Sequence, residues 1–177
     1  MDRSPSPFPH FIQRVVIGVG EVAVSNNPDV TLSTYALGSC IGVVAYDPEA
    51  LVGGILHLML PDGRIAPEKA ALQPAMFANT GLPLLFASLR GMRAELSRIQ
   101  LFLAGGACVL AGTDNFQIGA RNLQATGGIL AQMGLPHDRG SIGGTINRAI
   151  HLEVGSGEVT LKTPAGNDVF SLAPVRS

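Results

Sequence analysis

The sequence predicts a single α/β domain in which one mixed β-sheet is layered between helices, as a three-layer α/β/α sandwich. The first third of the chain is a close succession of short apolar runs bounded by Gly, Pro, Asn or Asp, which is typical of strands. In two of these runs both side-chain parities are apolar or small, so both faces of the sheet should be covered. Two later segments have the length and stop signals of helices and would supply the covers.

The elements follow in chain order. Residues 1–11 are rich in Ser and Pro and predict a disordered N-terminal arm. Strands are predicted at 15–19, 22–24, 30–37, 41–46, 52–60 and 100–104, and helices at 82–96 and 122–133. Segments 146–154 and 158–163 predict a hairpin around Gly155-Ser156-Gly157. The folded domain is assigned to 12–164, with a C-terminal tail at 165–177.

Composition excludes several classes of protein. The 177 residues suffice for one domain with its own core, 14% of them are charged and the formal net charge is -1, so we predict no nucleic-acid partner. The N-terminus has prolines where a signal peptide needs an apolar segment, and no apolar run approaches the length of a membrane span. We therefore expect a cytoplasmic protein that is not inserted in the membrane, with Cys40 and Cys108 as free thiols.

No metal site and no cofactor site is predicted. The histidines outside the strands discussed below lack spaced partners, and no HExxH or CxxC pattern occurs. The segment GVGEVAV lacks the third glycine and the strand-then-helix context of a dinucleotide-binding fingerprint. Cys108 has no ionisable neighbour in sequence before Asp114, and we interpret it as a structural core residue.

Cys40 and His57 are the first candidates for chemistry. If residues 47–50 form a four-residue turn, Tyr46 faces Leu51, and counting back along both strands places Cys40 opposite His57. An adjacent imidazole lowers the pKa of a thiol and can then protonate a leaving group. A one-residue slip would put the two side chains on opposite faces. A small core cysteine and a hydrogen-bonded core histidine remain the alternative interpretation.

Six motifs in one order carry a family resemblance. They are VIGVGEVAVSNNP, LGSCIGVVAYDP, GGILHLMLPD, AGGA, FQIGARN and a Gly-Gly pair at 143–144 before the closing hairpin. With these motifs the chain resembles the CheD family of bacterial chemoreceptor glutamine deamidases over residues 14–163.

The resemblance implies a Cys-His-Thr site. The family's cysteine falls on Cys40, its histidine on His57 and its threonine on Thr34. The resemblance implies hydrolysis of receptor glutamine side chains to glutamate in support of chemotaxis. Thiol chemistry then requires donors to an oxyanion, for which the backbone N–H groups of Gly38 and Ser39 are candidates, and a glutamate methyl ester, with its easier leaving group, predicts a receptor methylesterase side activity. The implied partners are the cytoplasmic helices of receptors in membrane arrays and a CheC-type phosphatase.

Two other functions remain open at this point. A non-catalytic adaptor of the same fold would bind the receptor or the phosphatase without turnover. A thiol peptidase or transamidase would use a similar Cys-His pair on peptide bonds or amines.

Overall fold

The structure is a computed structural model that describes residues 11–110 and 114–174, so the predicted N-terminal arm falls almost entirely outside the described residues. The strands are β1 (Gln13–Val16), β2 (Val22–Ser25), β3 (Val30–Leu37), β4 (Ile41–Asp47), β5 (Val52–Leu58), β6 (Gln100–Gly105), β7 (Gly140–Ile142), β8 (Arg148–Glu153), β9 (Glu158–Thr163) and β10 (Gly166–Ser171). The helices are α1 (Pro67–Leu72), α2 (Ala78–Gly91) and α3 (Ile118–Gln132). The predicted strands and both predicted helices are confirmed to within a few residues at their ends.

The strands form two mixed sheets of five strands each. The first sheet has the order β1-β3-β8-β9-β10, and its β1–β3 pair is parallel. The second has the order β2-β5-β4-β6-β7, and its β6–β7 pair is parallel. The remaining neighbours in both sheets are antiparallel.

The two sheets pack face to face, and among the described residues the helices cover the second sheet alone. One core lies between the sheets and includes Leu32, Val44 and Ile150. The other lies between the second sheet and the helices and includes Leu56 and Leu85. The α/β class is confirmed, but the layers run sheet, sheet, helices, whereas the sequence predicted helices on both sides of one sheet. Both faces of β4 and β5 are buried as predicted, and a packed sheet covers apolar side chains as well as a helix does.

Helix α2 covers the second sheet through a stripe of apolar residues at helical spacing. Its large, fully buried side chains are Leu82, Leu85, Phe86 and Leu89, which recur on one face of the helix. Gly54 on the strand below admits this helix, because a Cβ there would lie 2.9 Å from the Leu85 side chain. Within the described residues, no helix combines the length and the apolar character needed to cross a membrane.

The closing hairpin is confirmed, and the chain stays in the sheet beyond it. Strands β8 and β9 pair from Glu153 with Glu158, and Gly157 in their connection has a φ of 71°. The predicted tail at 165–177 includes β10, which pairs with β9 along its whole length, and Leu172 after it is buried. The sequence did not indicate β10, because all six of its residues are exposed and give no apolar pattern.

The register between β4 and β5 differs from the prediction by two residues. Gly42 opposes His57 and Asp47 opposes Val52, so the position opposite His57 is not Cys40. The loop between the strands comprises residues 48–51. Because the side-chain period of a strand is two, this shift leaves Cys40 on the same side of the sheet as His57.

Asp47 explains this register. Its buried carboxylate accepts hydrogen bonds from the backbone N–H groups of Glu49 and Ala50 and from the guanidinium of Arg98. These bonds hold the loop in a shape that Leu51 completes with a φ of 52°. Asp47 is therefore the last paired residue of β4, and the four-residue loop runs over 48–51 and not over 47–50.

Candidate active site

The segment before Cys40 leaves its strand through a bulge. The pairing of β3 with β8 shifts between Thr34 and Leu37, and Ala36 within the bulge has a φ of 57°. The N–H of Gly38 then donates to the Ala36 carbonyl at 3.0 Å. A bulge at this place changes the direction of the chain. Cys40 then lies just outside the sheet, immediately before β4 begins.

A second chain segment holds the Cys40 segment from the side. The N–H of Gly106 donates to the Cys40 carbonyl at 2.9 Å, and the N–H of Ala107 donates to the Gly38 carbonyl at 2.8 Å. Gly105 has a φ of 110°, and a Cβ there would collide with the Cys40 carbonyl oxygen. The AGGA motif thus permits a close backbone approach beside Cys40.

Cys40 lines a pocket of about 390 Å³. The described residues around the pocket come from the segment before β4, from 107–110, from 114–118 and from the loop before β8: Ala36, Gly38, Ser39, Cys40, Ala107, Cys108, Val109, Leu110, Asp114, Ile118 and Asn147. Val109 is 39% exposed and Leu110 is 72% exposed, so part of the pocket wall is apolar surface.

His57 and Thr34 meet in the space between the sheets. The Oγ1 of Thr34 lies 2.7 Å from Nδ1 of His57 and also 2.7 Å from the carbonyl oxygen of Ile17. A carbonyl accepts only, so the single proton of the Thr34 hydroxyl goes to Ile17. We therefore assign the His57 proton to Nδ1, which donates to Thr34, and leave Nε2 as the basic nitrogen.

The Nε2 atom of His57 is buried and has no hydrogen-bond partner among the described residues. Cys40 precedes Gly42 by two positions on the same side of the sheet, and Gly42 directly opposes His57. The two side chains are thus diagonal neighbours on one face of the sheet. Cys40 also packs against the core between the sheets, into which His57 projects.

Burial keeps the resting thiol and imidazole uncharged. It raises the pKa of Cys40 above its ordinary value of 9.0, against a smaller opposing effect from its own backbone hydrogen bond. It lowers the pKa of His57 below its ordinary value of 6.5, with Glu21 opposing the shift. The expectation of a lowered thiol pKa is wrong for this structure, because burial raises the pKa of Cys40 and only the thiol's own backbone hydrogen bond opposes it. A neutral imidazole beside a neutral thiol can act as a general base.

The backbone N–H groups near Cys40 divide into bonded and open donors. Gly38 was predicted as an oxyanion donor, but its N–H is bonded to Ala36. Among the described residues, the N–H groups of Ser39 and Cys40 have no backbone acceptor in another residue. Ser39, also predicted, and Cys40 are therefore the better candidates for donors to an oxyanion.

Three residues near the site were not predicted as functional. Cys108, interpreted from sequence as a core residue, is a free thiol on the wall of the same pocket, and burial and then Asp114 raise its pKa. Asp114 also lines the pocket. Asn122 lies on α3 and bonds to the backbone next to Cys40. Its place at the end of the FQIGARN motif was the signal that could have identified it.

The described part of the chain contains no group of three or more His, Cys, Asp or Glu side chains arranged to hold a metal ion. The described pocket lining is small or apolar, apart from Ser39, Cys108, Asn147 and Asp114. The candidate site offers the thiol of Cys40, the imidazole of His57 and the hydroxyl of Thr34.

The sequence is similar to a known family model and to several named bacterial proteins. A family model described as CheD chemotactic sensory transduction matches residues 59–163. A protein of Solibacter usitatus named probable chemoreceptor glutamine deamidase CheD is 41% identical over 151 residues, which cover 85% of this chain and 89% of that protein. The chain belongs to the CheD family. A Syntrophus aciditrophicus relative with the name CheD 1 is 39% identical over 86% of this chain and 95% of its own length.

The match to these CheD relatives is long enough to include the candidate site. A contiguous match over 85% of the chain necessarily contains Thr34, Cys40 and His57, although the family model begins after them. A Pyrococcus abyssi protein, also named probable chemoreceptor glutamine deamidase CheD, is 32% identical over 89% of this chain and 96% of its own length. Among solved structures, Bacillus licheniformis hypothetical protein YfiH is 12% identical with a TM-score of 0.39, covering 79% of this chain and 61% of that one.

Proposed function

We propose that this CheD-family protein hydrolyses the side-chain amide of glutamine residues on the cytoplasmic helices of chemoreceptors, giving glutamate and ammonia. Cys40 is the nucleophile, His57 is the general base and acid, and Thr34 orients His57. The relatives' names support the substrate, since they are called chemoreceptor glutamine deamidases. The observation that carries the proposal is the 2.7 Å bond between Thr34 and Nδ1 of His57, which leaves Nε2 as an unpartnered base on the side of the sheet that Cys40 shares.

The first half of the reaction forms a thioester. As the Cys40 sulfur attacks the amide carbon, its proton passes to Nε2 of His57, so no thiolate need exist at rest. The carbonyl oxygen becomes negatively charged and accepts hydrogen bonds from the N–H groups of Ser39 and Cys40. The imidazolium then gives its proton to the nitrogen as the carbon–nitrogen bond breaks, and ammonia leaves.

The second half regenerates the enzyme. Neutral His57 takes a proton from a water molecule, whose oxygen attacks the thioester carbon. The carbon–sulfur bond breaks, the thiol regains its proton and the receptor side chain leaves as glutamate. Throughout, the Nδ1–H bond to Thr34 keeps Nε2 directed toward the reacting atoms, as the third member of a catalytic triad does.

The site suits a side chain presented on a protein surface. Exposed Val109 and Leu110 border the pocket, so the substrate's surroundings can pack against apolar side chains while one amide reaches Cys40. A glutamate methyl ester offers the same carbonyl with an easier leaving group, which supports a methylesterase side activity. The family resemblance supports action at cytoplasmic receptor arrays and a CheC-type phosphatase as partner.

The test is deamidation of a purified receptor cytoplasmic fragment. Wild-type protein should release ammonia and raise the fragment's mass by about 1 Da for each glutamine modified. Cys40→Ala should release none while still binding the fragment. The control is Asp168→Asn, a change on the exposed strand β10. Equal ammonia release by wild type and Cys40→Ala would reject the proposal, and binding without turnover by wild type would favour the adaptor alternative.

A further inference from the structure

The side chain of Asn122 joins the two strand ends that carry the proposed catalytic residues. Its Nδ2 donates to the carbonyl oxygen of Ser39 at 2.9 Å and to that of Met59 at 2.8 Å. Ser39 immediately precedes Cys40, and Met59 lies two residues after His57. One amide nitrogen thus spans the segments of Cys40 and His57.

The orientation of this amide is fixed by its partners. Both neighbours are carbonyl oxygens, which only accept, so the amide nitrogen and not its oxygen must face them. Asn122 is fully buried, and its Oδ1 has no partner among the described residues. A buried acceptor without a partner is unfavourable for stability. Asn122 thus binds two carbonyl oxygens through Nδ2, while its own Oδ1 has no partner among the described residues.

Helix α3 is held where Asn122 can reach both carbonyls. Gly119, in its first turn, touches the backbone at 106–107, and a Cβ there would lie 2.6 Å from the Gly106 oxygen and 2.7 Å from the Ala107 oxygen. The same backbone segment bonds to Gly38 and Cys40. The Cys40 segment is thereby held both by residues 106–107 and by Asn122.

We infer that Asn122 is a positioning residue that sets the distance and direction between the Cys40 thiol and Nε2 of His57. Its two hydrogen bonds tie the segment before β4 to the end of β5, across the two-residue offset that separates Cys40 from the position opposite His57. This inference rests on the proposed function, in which Cys40 and His57 react as a pair. It gives the FQIGARN motif a role: Gly119 admits the helix and Asn122 connects it to the site.

Asn122→Leu and Asn122→Ser test the inference. Leucine has a similar size and no donor, and serine has one donor on a side chain too short to reach both carbonyls. The matched control is Thr126→Val, one turn further along α3, because Thr126 is also fully buried and its Oγ1 has no partner among the described residues. Thermal unfolding of each variant shows how much folded protein is present.

Two measurements separate positioning from general stability. In the deamidation assay, both Asn122 variants should lose at least about tenfold in kcat with KM within about twofold, because the substrate still binds the pocket. The rate of iodoacetamide labelling at Cys40 is measured as a function of pH, by mass spectrometry of the Cys40 peptide. In the wild type, one limb of this rate–pH profile should follow the titration of His57, and this limb should be absent in His57→Ala. Both Asn122 variants should lose that limb, and Thr126→Val should keep it.

The outcomes are distinct for the inference and for the proposed function. If a folded Asn122 variant keeps wild-type kcat and the His57-dependent labelling limb, the inference is overturned and the deamidase proposal stands. If Thr126→Val and the Asn122 variants lose activity in proportion to the decrease in their Tm, Asn122 has only a structural role and the inference is overturned. If the wild type shows no deamidation, the proposed function fails, and the labelling of Cys40 still decides whether Asn122 controls its environment.

Discussion

The hydroxyl oxygen of Thr34 lies 2.7 Å from Nδ1 of His57 in the space between the two sheets. The same strand carries a second hydroxyl–imidazole pair, in which Ser33 Oγ lies 2.8 Å from Nδ1 of His151. Neighbouring residues of a strand point to opposite faces, so this second pair lies on the side away from Cys40. The molecule thus contains an internal control for its own proposed site.

Replacing Thr34 by valine should lower kcat at least about tenfold, because Nδ1 of His57 loses the acceptor that fixes its tautomer. Ser33→Ala removes the corresponding hydroxyl from the His151 pair and should leave kcat close to that of the wild type. Both are measured with the receptor fragment at equal amounts of folded protein. Equal losses in the two variants would show that the Thr34 bond has no particular part in the reaction.

The pH dependence of kcat/KM should report the two shifted pKa values. Protonated His57 cannot accept the Cys40 proton, so activity should rise with pH through an inflection below 6.5, since burial lowers the pKa of His57. It should then stay level until pH exceeds 9.0, since burial raises the pKa of Cys40. An acid inflection above pH 6.5 would contradict the lowered pKa of His57. A loss of activity well below pH 9.0 would instead indicate a resting thiolate–imidazolium pair, because its imidazolium deprotonates there.

Removing the imidazole should separate amide from ester hydrolysis. His57→Gln should reduce deamidation by about 100-fold or more, since ammonia cannot leave without a proton. Hydrolysis of a glutamate methyl ester on the same fragment should fall less, because methanol is the easier leaving group. Ammonia and methanol are measured in parallel, with Cys40→Ala as the variant that should lose both. A larger loss for the ester than for the amide would contradict the role given to His57.

His151 should make the protein sensitive to acid. Burial first, and then the positive charges of Lys162 and Arg14, lower the pKa of His151 from 6.5 to about 4. Between these values the unfolded chain binds the proton and the folded chain does not, so the free energy of unfolding should fall as pH is lowered through this range. In urea denaturation, the free energy of unfolding of His151→Gln should depend less on pH than that of the wild type. An unchanged dependence would assign the effect to other groups.

Asp47 should matter for stability and for the register of the site. Its carboxylate is fully buried, and burial by itself raises the pKa of Asp47. The hydrogen bonds from Arg98 and from the backbone N–H groups of Glu95, Ala50 and Glu49 together hold that pKa down at about 2. Asp47→Ala should reduce the free energy of unfolding by at least about 2 kcal/mol, because it leaves Arg98 and the loop N–H groups without their acceptor. Asp168→Asn, on exposed β10, is the matched control and should change it little. Similar values for both variants in urea denaturation would contradict this role.

The local sequence pattern predicted most strands, both long helices and the shared face of Cys40 and His57. Each of these features depends on hydrophobic periodicity and on turn-forming residues within a short stretch of sequence. The register did not follow from the turn residues alone, since it depends on the bond between Asp47 and Arg98, which are far apart in sequence. The same holds for Asn122, whose partners Ser39 and Met59 belong to other elements. The second sheet was missed because an apolar strand does not specify whether a helix or a sheet covers it.

The nucleophilic role of Cys40 is the central claim, and trapping the thioester tests it most directly. Wild-type protein mixed with the receptor fragment and quenched in acid should yield a conjugate equal to the two masses less one ammonia, attached at Cys40 and released by hydroxylamine. Cys40→Ala should give neither the conjugate nor deamidated fragment. Deamidation that continues in Cys40→Ala, or a thioester found on Cys108 instead, would contradict the account.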